Sequence, residues 1–169
     1  MIAIKPDIYW IEGPWAGKLA ILSRPRGEDW LGDEVKGWKE AGINFVVSLL
    51  RSGEESELGL ATEADIVKRN GLTYISFPIA DYGVPGSQIP VQQLAAKLND
   101  QLSRGACVGV HCRQSIGRSS LIAACVFVTS GETPQRAFEH IELARGVPVP
   151  DTAEQKEWVN SFARNLRQD

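Results

Sequence analysis

Residues 106–129 constrain the fold more than any other stretch of this chain. Ala106 to His111 (ACVGVH) is a short apolar run that suits a buried strand. Arg118 to Thr129 (RSSLIAACVFVT) is apolar on nearly every side, so a helix there has no face to give to water and must be central. Only six residues, Cys112 to Gly117, join the two. A buried strand that turns at once into a buried helix belongs in an α/β layered domain.

The remaining segments alternate in the same way. Ile8 to Ile11 and Lys18 to Leu22 read as a hairpin around Gly13-Pro14, followed by a loop from Ser23 to Glu28. Trp30 to Ala41 is a helix stopped by Gly42. Asn44 to Leu50 carries the run FVVSLL, the pattern of a strand covered on both faces. Arg51 to Leu58, with Glu54, Glu55 and Glu57, reads as a solvated polar loop. Leu60 to Asn70 is a helix, Leu72 to Pro78 a strand, and Ala80 to Ser87 a loop punctuated by Gly and Pro. Pro90 to Arg104 is amphipathic, with Val91, Leu94, Ala95, Leu98 and Leu102 on one face and Gly105 as its stop. Thr133-Pro134 opens a helix that ends near Arg145-Gly146. Thr152 and Gln155 form a capping box for a last helix to about Arg167. The expected fold class is α/β, with a mainly parallel central sheet flanked by helices, and residues 1–169 form a single domain.

Composition narrows the function. Eighteen basic and 21 acidic side chains leave a net charge of −3, which argues against a nucleic-acid partner. Two His and three Cys, scattered, do not make a metal site, and an odd Cys count does not suggest a disulfide framework. The start, MIAIKPDIYWIEG, lacks a signal-peptide pattern, and no apolar stretch is long enough to span a membrane. The expectation is a cytoplasmic monomer with reduced thiols, no cofactor, no metal and no membrane partner.

The loop Cys112-Arg113-Gln114-Ser115-Ile116-Gly117-Arg118 has a chemistry that its position dictates. A loop curling into a helix start aims several backbone N–H groups at one point, and the helix dipole adds positive potential. Arg118 adds a fork of donors for two oxygens of a tetrahedral anion. The same field favours the thiolate of Cys112. A thiolate beneath a bound phosphate is a placed nucleophile.

A Cys with an Arg six residues on is a weak signal by itself. His111 before the Cys, Gly117 before the Arg, Ser119 after it, and the flanking apolar strand and helix make it specific. HCRQSIGRSS resembles the signature loop His-Cys-x-x-Gly-x-x-Arg-Ser/Thr of the Cys-dependent protein tyrosine phosphatase superfamily. It departs at Ser115, where that family usually has Gly. GINFVVSLL, the FPIADYGVP loop and TAEQ extend the likeness to the small dual-specificity phosphatase branch, from about Ile43 to Val159.

The resemblance implies a protein tyrosine phosphatase-like fold and a set of roles. Cys112 is the nucleophile, Arg118 and residues 113–117 bind phosphate, and Ser119 hydrogen-bonds the sulfur when it leaves. Asp81, in the loop after the preceding strand, is the general acid. Tyr82 lines the pocket rim. His111 shapes the loop, and Gln155 resembles a glutamine that places the hydrolytic water. Cys107 and Cys125 read as core residues, with a redox partnership to Cys112 as the alternative. The expected substrate is a phosphoprotein carrying phosphotyrosine, with phosphoserine and phosphothreonine as extensions. The alternatives are a phosphoinositide, a nucleotide or an RNA 5′ phosphate with the same mechanism, a non-catalytic phosphoprotein-binding module, and a sulfurtransferase or arsenate reductase.

Overall fold

The computed structural model describes residues 6–167. The first five residues of the amino-terminal stretch read above lie outside the described residues. Five strands form one sheet: β1 (Ile8–Ile11), β2 (Lys18–Leu22), β3 (Phe45–Ser48), β4 (Thr73–Ser76) and β5 (Cys107–His111). Their order is β1-β2-β5-β3-β4. The hairpin β1-β2 is antiparallel and the other three pairings are parallel, as expected.

Among the described residues seven α-helices flank the sheet: α1 (Leu31–Glu40), α2 (Ser52–Glu57), α3 (Glu63–Arg69), α4 (Gln88–Ser103), α5 (Gly117–Thr129), α6 (Pro134–Arg145) and α7 (Ala153–Arg167). One expectation fails. Arg51 to Leu58 is not a plain loop, because Ser52–Glu57 makes a helix of six residues. Its start is held by the Glu54 side chain, which accepts the Arg51 N–H at 3.2 Å. A helix this short shows too few turns for periodicity to reveal it.

Strand alternation splits the interior in two. Leu19 and Ile21 of β2, Val47 of β3, and Val108 and Val110 of β5 pack toward α4, α5, α6 and α7. Ala20 and Leu22, with Val46, pack toward α1 and α3 around the fully buried Trp38. Gly109 keeps this second face close. A Cβ there would lie 2.5 Å from a Leu22 methyl, so only Gly lets Leu22 lie across β5. Helix α5 is buried from Gly117 to Val128 between the sheet and α4, α6 and α7, which explains its lack of a polar face.

The central place of β5 positions the rest. Because β3, β4 and β5 run parallel, the segments after all three leave the same edge of the sheet. Residues 49–58, 77–87 and 112–117 are therefore neighbours in space.

Candidate active site

The loop after β5 is held open from outside. Arg145 Nε donates to the Ser115 carbonyl at 3.0 Å, and its Nη2 donates to the Gln114 carbonyl at 3.4 Å. The Arg145 guanidinium also lies over the Tyr9 ring, 4.3 Å from its centroid. A planar peptide sends the next N–H opposite to its carbonyl, so the Ser115 and Ile116 amides point away from Arg145. Ser115 has φ of +57°, the left-handed region that favours glycine. Its buried hydroxyl donates to the Leu22 carbonyl on β2, which offsets the strain and explains how Ser stands in this turn.

Cys112 is 2% exposed and lies on the α5 side of the sheet. Arg118 is as deeply buried, and its guanidinium gathers the three segments. Nη1 and Nη2 reach the two Glu54 oxygens at 2.8 and 2.9 Å. Nη2 donates to Asp81 Oδ1 at 2.9 Å, and Nη1 to the Ile79 carbonyl at 2.8 Å. Burial works against the Arg118 charge, yet Glu54, Cys112 and Asp81 together hold its pKa above the ordinary value. Burial likewise opposes the Glu54 charge, but Arg118 and the Arg51 N–H pull that carboxyl below its ordinary range. The expectation that Glu54 is only solvated is therefore wrong. Glu54 braces Arg118, and Glu57 receives Arg113 through two contacts of 3.3 Å.

Asp81 and Tyr82 lie in the loop after β4. Tyr82 is 54% exposed with φ of +58°, and its N–H donates to Asp81 Oδ1 at 3.1 Å. Gln155 makes the expected capping box with Thr152, with contacts of 3.0 and 3.2 Å. It is fully buried, and its amide also donates to the Gly83 carbonyl at 3.1 Å, tying the Asp81 loop to α7. Ser119 is buried, and its hydroxyl has no hydrogen-bond partner. Ile116 stands at the turn into α5.

Asp151 belongs to the same neighbourhood, although nothing in the motif singles it out. A Cβ on Gly117 would lie 2.3 Å from its Oδ2, so the carboxylate rests against the start of α5. Burial and the nearby Asp81 raise its pKa, against the pull of Arg118 and the Gly117 N–H. Its place one residue before the capping box was the only available signal.

Residues 20–132 match the family model Tc-R-P, "Polymorphic toxin system, DSP-PTPase phosphatase". The chain belongs to this DSP-PTPase family. That places it in the small dual-specificity branch of the protein tyrosine phosphatase superfamily, as the motif resemblance implied. It is 27% identical over 132 residues to cyclin-dependent kinase inhibitor 3 of Rattus norvegicus, a match covering 76% of this chain and 61% of that protein. The human protein of the same name is 26% identical over 130 residues, with the same coverage. The chain thus spans about three-fifths of the length of these relatives. Its fold matches a crystal structure of kinase associated phosphatase whose catalytic site cysteine is replaced by serine. The TM-score is 0.89 at 20% identity, over 98% of both chains.

The other cysteines stay apart from this site. Cys125 is enclosed in α5, and burial pushes its thiol well up, which disfavours the thiolate. Cys107 is partly exposed at the opposite end of β5 from Cys112. His140 stacks on Phe127 with centroids 5.2 Å apart. Among the described residues no group of His, Cys, Asp and Glu has the arrangement of a metal site. Nor is any helix there long and apolar enough to cross a membrane.

Proposed function

We propose that this chain is a protein phosphatase that hydrolyses phosphotyrosine, and also phosphoserine and phosphothreonine, through a cysteinyl-phosphate on Cys112. The observation that carries this reading is the Arg118–Asp81 pair at 2.9 Å, made across two segments beside a buried cysteine. A guanidinium braced by Glu54 and facing a loop of amides suits an incoming phosphate dianion. Phosphate oxygens take the place of Asp81 on Arg118 Nη2 and free the acid for the leaving oxygen.

In this cycle the Cys112 thiolate attacks phosphorus and an S–P bond forms. The P–O bond to the substrate breaks, and protonated Asp81 gives its proton to the departing oxygen. Water then attacks the phosphocysteine, Asp81 takes a proton from it, and the S–P bond breaks to release phosphate and thiolate. Arg118 and the loop amides hold the charge of the loose transition state. Rotation of the unpartnered Ser119 hydroxyl toward the sulfur supports that departure. Gln155 acts by holding the Asp81 loop through Gly83. The DSP-PTPase family match supports the substrate class, and Arg113, already paired with Glu57, offers a second phosphate little. We further propose a cytoplasmic monomer; the three free cysteines suit a reducing compartment.

The test is turnover of a small aryl phosphate by the wild-type chain and by Cys112→Ser. The variant should be inactive, and EDTA should leave the wild type unaffected. Hydrolysis that survives Cys112→Ser sinks the mechanism. Asp81→Ala used as a trap should retain phosphoproteins, whereas preference for soluble inositol phosphates would move the reading to a lipid substrate.

A further inference from the structure

The strand that delivers Cys112 carries His111 on the opposite face of the sheet. There the ring is fully buried and stacks on Trp38, with centroids 6.0 Å apart. Its Nε2 lies 2.7 Å from Oε2 of Glu63, the first residue of α3, which is itself 1% exposed. Its Nδ1 lies 3.4 Å from the carbonyl oxygen of Cys112. The other Glu63 oxygen is buried and has no partner. Burying a carboxylate with one oxygen unpaired is unfavourable, and an apolar side chain would fill the space with less penalty. Glu63 lies behind His111, on the opposite face of the sheet from Cys112, so neither phosphate binding nor proton transfer employs it directly.

Both ring nitrogens of His111 face oxygen acceptors. The ring satisfies both only when both nitrogens carry hydrogen. A carboxylate at Nε2 fixes the ring plane, so Nδ1 is held against the peptide of the nucleophile. We infer that Glu63 is a positioning residue for Cys112, acting through His111. The other titratable groups around the pair are Glu55 of α2 and Tyr74 of β4. Burial and the Glu63 charge raise the pKa of both; that keeps the Tyr74 hydroxyl neutral, while Glu55 stands as a second carboxylate near the pair. The Tyr74 hydroxyl is engaged with Ser48 on β3.

The inference rests on the phosphatase reading only in taking Cys112 as the nucleophile. Its test does not need hydrolysis. Iodoacetamide labelling of the full chain, followed peptide by peptide from pH 4.5 to 9, reads Cys112 directly and separates it from Cys107 and Cys125. In Glu63→Gln the rise of Cys112 labelling with pH should move to higher pH, so that the rate at pH 6 falls about threefold or more. The acid limb of kcat/KM should move the same way. In a His111→Asn background, adding Glu63→Gln should change nothing further. A labelling curve unchanged in folded Glu63→Gln overturns the inference, and so does an added displacement in the His111→Asn background. If Glu63→Gln does not fold, Glu63→Asp, with the carboxylate drawn back by one methylene, should give a smaller displacement in the same direction. A wild-type curve there overturns the inference too. A wild-type chain that hydrolyses no aryl phosphate would sink the phosphatase reading and leave the labelling result standing.

Discussion

Arg118 and Glu54 meet through two parallel hydrogen bonds of 2.8 and 2.9 Å, although 64 residues separate them in the chain. The arginine side chain is 1% exposed and the glutamate 13%. Such a fork holds the guanidinium plane in one orientation. Glu54→Gln keeps the shape and removes the charge. It should lower kcat/KM for an aryl phosphate by about tenfold, mainly through KM, because Arg118 loses its brace. Stability should fall by about 1–3 kcal/mol, the worth of a hydrogen bond to a charged group. Steady-state kinetics and urea unfolding check both.

The same pair sets an acid limit on stability. The Glu54 carboxyl is depressed in the folded chain, so its contribution is present in full above its unfolded value near 4.5. It is lost as pH falls through the lower, folded value. The melting temperature should therefore drop below about pH 4.5 more steeply in the wild type than in Glu54→Gln. Parallel slopes for the two proteins would contradict the pairing.

Ser115 occupies a left-handed position and anchors the loop to Leu22. Ser115→Gly relieves the backbone strain but removes that anchor, so the two effects oppose each other. Stability should change by less than about 1 kcal/mol. Ser115→Ala keeps the strain and loses the anchor, leaving the Leu22 carbonyl without this donor. It should cost about 1–3 kcal/mol. A comparison of the two variants by chemical denaturation separates strain from anchoring.

Asp151 places a second carboxylate against the start of α5, where burial and Asp81 already disfavour its charge. An anion in the cradle meets that charge as repulsion. Asp151→Asn should therefore tighten competitive inhibition by inorganic phosphate about threefold at pH 7 and by less at a lower pH, because the raised pKa brings the wild-type carboxyl nearer to taking up its proton. Inhibition constants measured at both pH values check it.

The loop of residues 112–118 was legible in the sequence because its chemistry is local. One short segment between an apolar strand and an apolar helix carries the thiol, the amides, the helix start and the arginine. The strands and long helices were legible for a related reason, since a period of 2 or 3.6 is written in neighbouring residues. Glu54 looked solvated because a six-residue helix shows no period and a surface glutamate has no other mark.

By itself the sequence determined the layered α/β class, the strand–loop–helix segment that carries Cys112 and Arg118, and the fact that α5 is central. The partners of its charged groups were decided by tertiary structure. Placing β5 between β2 and β3 sets Cys112 on the α5 face and His111 on the α1 face. It also brings Asp81 and Glu54 to Arg118, and Glu63 to His111, across 37, 64 and 48 residues of chain. Burial of side chains leaves a periodic trace in the chain, but ion pairing across a sheet edge leaves none. Those contacts exist only once the strands are in register.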